Sequence, residues 1–198
     1  MKRLAEICIL ATLGGSMIMG QDDAVPARWN GTWSLSLRES QLGEFWAPGG
    51  PSGLTAMSQA LEIAATSERI KITTHTNTSR SWPPRESSRE EFEFNLDGRE
   101  TVSPAGASLS FKRIDDRTFD IVVSGNDKRL GSCRVEKHFV FSGRNRLTVT
   151  ETRRWLDVVA EGGDRTKGAV VRTSSSVLVF DSVPSTPYVR GPWYFKNL

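Results

Sequence analysis

Residues 146–155 read Arg146-Leu147-Thr148-Val149-Thr150-Glu151-Thr152-Arg153-Arg154-Trp155. Leu147 and Val149 alternate with Arg146, Thr148 and Thr150. Successive side chains of a β-strand point to opposite faces, so this stretch is a strand with one face turned to a core. The same two-residue beat runs through the chain after about Arg28. Trp33, Leu35 and Leu37 alternate with Ser34, Ser36 and Arg38, while Leu61/Ile63 and Ile70/Ile72 flank Glu62 and Lys71. Phe92, Phe94 and Leu96 keep it, as do Leu109 and Phe111, then Phe119, Ile121 and Val123, then Cys133, Val135, Phe139 and Phe141.

Turn chemistry separates these runs: Ser67-Glu68-Arg69, Asp97-Gly98, Asp115-Asp116-Arg117, Gly125-Asn126-Asp127 and Ser142-Gly143-Arg144-Asn145. Gly and Asn tolerate the positive φ of tight hairpins, and Asp braces turns through its own backbone bonds. Helix is expected only in the N-terminal apolar run and in one turn near residues 54–57. A parallel α/β fold needs repeated crossover helices, for which this chain has no room. A long meander with one buried face removes its exposed edges by closing on itself. The expected fold is therefore all-β, a single antiparallel up-and-down barrel of about 8–10 strands spanning residues 28–183. A β-sandwich is the alternative.

The 198 residues are 37% hydrophobic and 25% charged, with 17 Gly and 9 Pro, which excludes a collagen-like or wholly disordered chain. Lys and Arg total 26 against 23 Asp and Glu, an excess too small to point to a nucleic-acid partner. The first twenty residues differ from the rest: Lys2 and Arg3, an apolar run over residues 7–19, then Gly20 before Gln21-Asp22-Asp23. This is the pattern of a secretory signal peptide over residues 1–20, too short and glycine-rich for a membrane span, so export to the periplasm or the extracellular space is expected. No later run is long enough to span a bilayer, so the chain is not expected to be membrane-spanning. Cleavage there removes Cys8 and leaves Cys133 alone, so no internal disulfide is expected. Two glycosylation-type sequons, Asn30-Gly31-Thr32 and Asn77-Thr78-Ser79, matter only in a eukaryotic secretory route. Three loops break the rhythm, at residues 41–53, 79–89 and 157–168, and an aromatic tail follows at 184–198.

The stretch Gly31-Thr32-Trp33-Ser34-Leu35 resembles the Gly-x-Trp opening of the lipocalin and calycin families. With the Pro/Gly-rich residues 46–51, Asp97-Gly98, residues 110–118 and residues 143–150, it is similar to a group of exported bacterial lipocalin-like proteins without settled function. The resemblance covers roughly residues 29–183. It implies a lipocalin-like barrel in which Gly31 and Trp33 close one end, the tryptophan often lying under an arginine from a late strand. It implies no particular activity.

Chemistry is sparse. His75 and His138 are the only histidines, both on faces shared with polar residues, and no spacing resembles a metal site. No nucleophile elbow, phosphate loop or dinucleotide fingerprint occurs, and no acid/base constellation or cofactor motif supports an enzyme. Cys133 reads as a small buried hydrophobe, out of phase with His138. The informative feature is charge on the inward phase. Lys137 shares the phase of Val135 and Phe139, Glu151 and Arg153 that of Val149, and Arg113 that of Phe111. A charge inside a barrel must be paired or wet. These four residues either form internal salt bridges and rim contacts, or line a partly polar cup that grips the head of a small hydrophobic or amphiphilic ligand. The alternative is a non-enzymatic interaction protein that presents Trp46, Trp82 and the tail aromatics to a partner.

Overall fold

The computed structural model describes residues 25–46, 58–77, 86–127, 131–158 and 169–183. Residues 1–20, where a signal peptide is expected, the expected turn near residues 54–57, most of the three long loops with Trp82, and the tail lie outside the described residues. Ten strands form one antiparallel sheet: β1 (Gly31–Leu35), β2 (Ser58–Ala65), β3 (Arg69–Asn77), β4 (Glu86–Asn95), β5 (Thr101–Val102), β6 (Ser108–Arg113), β7 (Thr118–Asp127), β8 (Gly131–Ser142), β9 (Arg146–Val158) and β10 (Ala169–Val183). Each strand pairs with its neighbours in sequence, except across β4–β5. β1 also pairs with β10, which brings the two ends of the meander together. The remaining seam lies between β4 and the β5–β6 hairpin, where the Thr101 hydroxyl donates to the Glu93 carbonyl at 3.3 Å. The molecule is thus an all-β, nearly closed up-and-down barrel. Closure leaves little unpaired strand edge, the physical reason a one-faced meander curls.

The turns are braced as their residues require. The Asp97 carboxylate accepts from the Arg99 N–H at 2.9 Å and Asp115 from the Arg117 N–H at 2.6 Å. Two sequence expectations are corrected. Gly125-Asn126-Asp127 is not a turn but the end of β7, paired with Cys133, Ser132 and Gly131. Its glycine serves close packing instead, since a Cβ there would sit 3.1 Å from that of Ala107. Leu37 lies beyond the end of β1 and is exposed, because the chain turns there under Ser36 N–H···O=C Val179 (2.8 Å).

The inner faces of the strands divide along the barrel axis. One half is a continuous apolar core: Leu61, Ile63, Ile70, Ile72, Phe94, Phe111, Phe119, Phe139, Phe141, Leu147, Val149 and Phe180 are all buried. Phe119 and Phe139 stack with centroids 4.5 Å apart, and Trp29 tilts onto Phe119 at 4.9 Å. Each such buried side chain contributes roughly 1.5–3 kcal/mol against exposure. Trp29, on the one-turn helix Ala27–Trp29, covers this end and donates its indole N–H to the Asp116 carbonyl at 3.0 Å. The other half is polar.

Candidate functional site

The polar half is built by continuing the same strands past their apolar residues. On β8, β9 and β10 the inward positions change from Phe139, Val149 and Leu178 to Lys137, Glu151 and Ser176, which stand side by side in register. One step further, Val135, Arg153 and Ser174 are neighbours, then Cys133 and Trp155. From the other side of the barrel, Gln59 on β2 and Thr74 and Thr76 on β3 complete a polar wall, all buried. The Gln59 amide donates to the Thr76 hydroxyl at 3.1 Å.

A segment between β1 and β2 folds over these groups. Gln41 and Val177 exchange backbone hydrogen bonds of 2.7 and 2.8 Å. The Gly43 and Phe45 N–H groups donate to the hydroxyls of Ser176 and Ser174, both at 2.9 Å. Gly43 allows this approach, because a Cβ there would lie 2.2 Å from the Ser175 carbonyl oxygen. The one-turn helix Glu44–Trp46 then directs Phe45 and Trp46 inward against Trp155, with centroids of Phe45 and Trp155 5.6 Å apart. Trp46 is only 7% exposed, so it is not offered to a partner on the surface.

Under this flap sits an ion cluster. The Glu151 side chain is 1% exposed. It accepts from Arg153 Nε at 2.5 Å and from Trp46 Nε1 at 2.7 Å on one oxygen. On the other it meets Lys137 Nζ at 3.1 Å and Arg153 Nη2 at 3.3 Å. The Arg153 guanidinium lies 4.4 Å from the centre of the Phe45 ring and 4.7 Å from that of Trp46, a cation held between two aromatic faces. Burial alone would raise the Glu151 pKa. The charges of Arg153 and Lys137, with hydrogen bonds from Arg153 and Trp46, outweigh it and hold the carboxyl at about 2. Burial opposes the Arg153 charge too, but Glu151 overcomes it, helped by the field of Glu90 on β4, and the guanidinium pKa is raised.

Three of the four inward charges anticipated from the alternation, Lys137, Glu151 and Arg153, therefore meet in one cluster. Arg113 does not join them. It lies at the Trp29 end, bonded to Asp116 at 2.7 Å with its guanidinium 5.5 Å above the Trp29 ring. Two tryptophans thus lie beneath arginines, Trp29 under Arg113 and Trp46 under Arg153. Trp33 is walled inside the core against Phe141, its indole N–H without an acceptor among the described residues. Gly31 precedes it at φ +151°, a conformation L side chains rarely adopt, with the Trp33 indole 3.7 Å from the place of a Cβ.

Sequence reasoning missed Phe45 and Trp46 as interior residues, since a loop has no period to show its direction. It also passed over Gln59, Thr74, Thr76, Ser174 and Ser176, although each keeps the inward beat of its strand. On the outside, His138 Nδ1 lies 2.6 Å from Asp120 Oδ1, and His75 Nε2 is 3.5 Å from Glu62 Oε1. Among the described residues no group of three His, Cys, Asp or Glu side chains is placed to hold a metal ion. No helix among them is long and apolar enough to cross a membrane.

No protein-family model matches the chain, and no curated protein matches it. Among solved structures it is similar to EF1p2_mFAP2b bound to DFHBI, at 8% sequence identity and a TM-score of 0.42. That match covers 81% of this chain and 98% of the other. At that level the likeness carries no argument about function, which must come from the site itself.

Proposed function

We propose that this chain is an exported, lipocalin-like binding protein that takes a short amphiphilic molecule into the polar half of its barrel. An anionic group of the molecule lies against Arg153 and Lys137, and its apolar part lies against Phe45, Trp46 and Trp155. Export rests on the basic, apolar and small-residue sequence of residues 1–20. One observation carries the ligand reading: inside the barrel two cations surround a single carboxylate. Buried charges cost several kcal/mol each unless compensated, and apolar side chains of similar volume often serve stability as well or better. An incoming carboxylate or phosphate balances the second cation and gives the arrangement a purpose. The apolar half is occupied by its own aromatic side chains, so the ligand's apolar part is short.

A second reading has its own support. All four contacts to Glu151 are internal, which fits a cluster whose whole task is to pin the Phe45–Trp46 segment. Purifying the exported protein without denaturation, then native mass spectrometry and solvent extraction, separates the two. The expected result is a small anionic molecule bound to the parent protein and absent from Lys137→Met. A protein that is empty as purified, and still empty after incubation with octanoate, would overturn the ligand reading and leave the pinning role.

A further inference from the structure

The Trp29 end of the barrel carries a second, different concentration of charge. Arg28 points outward beside the buried Trp29 on the first described turn of chain. Arg113 ends β6, Asp116 and Arg117 form the β6–β7 turn, and Arg144 sits in the β8–β9 turn. These stretches lie far apart in sequence, yet they line one cleft of about 600 Å³, with Val25 and Pro26 as its apolar wall. Four arginines and one aspartate thus line it, while Asp115 of the same turn, just outside the lining, lies in the field of Arg117. Asp116 is engaged by Arg113 at 2.7 Å. Arg28, Arg117 and Arg144 have no salt-bridge partner among the described residues. Arg146, two residues on, is by contrast committed to Glu39 at 2.6 Å.

Like charges gathered in a concavity repel one another and focus a positive field, which an anion relieves. Guanidinium groups present planar forks that match phosphate oxygens two at a time. The volume suits a small molecule or a headgroup. We propose that this cleft is a binding site for a multiply charged phosphate group, carried either by a soluble molecule or by a lipid headgroup, and separate from the site under the flap.

The test uses the full chain with two probes: inorganic pyrophosphate followed by calorimetry, and co-sedimentation with phosphatidylcholine vesicles with and without phosphatidic acid. The variants are Arg28→Gln/Arg144→Gln, both at exposed positions, and Arg154→Gln on the outer face of β9 as control, with circular dichroism checking that each keeps the parent fold. Binding of pyrophosphate that falls ~10-fold or more in the double variant, but not in the control, supports a soluble phosphate ligand. Binding confined to vesicles containing phosphatidic acid, with the same dependence on Arg28 and Arg144, supports the headgroup. Binding of neither probe, or equal binding by the parent and the double variant, would overturn the proposal.

Discussion

The two halves of this barrel are made from the same strands but held by different physics. Around Trp29, Phe119 and Phe139 the interior is aromatic and aliphatic, and each side chain contributes independently through area removed from water. Around Glu151 the interior is held by mutual compensation. The carboxylate is the chief compensation for Arg153 and Lys137, and they, with the Trp46 indole, keep the carboxylate ionised. The contrast teaches that burial alone does not rank a residue's importance. A buried aromatic and a buried ion answer to different substitutions.

The largest effect is expected in the apolar half. Phe119→Ala or Trp29→Ala should cost about 3–5 kcal/mol, read as a shift of the denaturant midpoint, because neither cavity can collapse among so many rings. Glu151→Gln should cost about 3 kcal/mol, since it strands two cations. The simultaneous change Lys137→Met/Glu151→Leu/Arg153→Met should recover most of that loss, because nothing charged is then left inside. If the triple variant is instead less stable than Glu151→Gln, the polar half is held like the apolar half and the contrast fails.

Acid should expose the same difference. The folded pKa of Glu151, about 2, lies below its ordinary value of 4.5. Its contribution is therefore fully present above pH 4.5 and lost as the pH falls through about 2. Between those limits the parent should lose roughly 3 kcal/mol more than Glu151→Gln, measured by urea unfolding across the range. Equal losses would mean that the carboxyl titrates normally. A smaller effect is expected at the flap. Gly43→Ala drives a methyl into the Ser175 carbonyl and should cost about 1–3 kcal/mol. A red shift of Trp46 emission should accompany it as the segment lifts.

The strands, their faces and even the inward charges could be read before any coordinates, because period two is a local property and β9 keeps it unbroken from Leu147 to Trp155. Height along the barrel could not be read this way. Phase places Arg113 and Arg153 on the inner surface alike, yet pairing register sends one to the Trp29 end and the other beneath Trp46. The inward fold of Phe45 and Trp46 was equally hidden, since it depends on hydroxyls of Ser174 and Ser176 more than a hundred positions away. Gly125 misled for a related reason: a glycine needed for close packing against Ala107 looks, in sequence, like a turn.

The most direct test of the central claim, that the polar half is built to accept an anionic group, is calorimetric titration of octanoate into the parent, Glu151→Gln and Lys137→Met proteins under conditions where all three remain folded. Glu151→Gln should bind more tightly than the parent, because the internal competitor is gone, and Lys137→Met more weakly. Absence of binding to all three would contradict the claim, as would the same affinity in each.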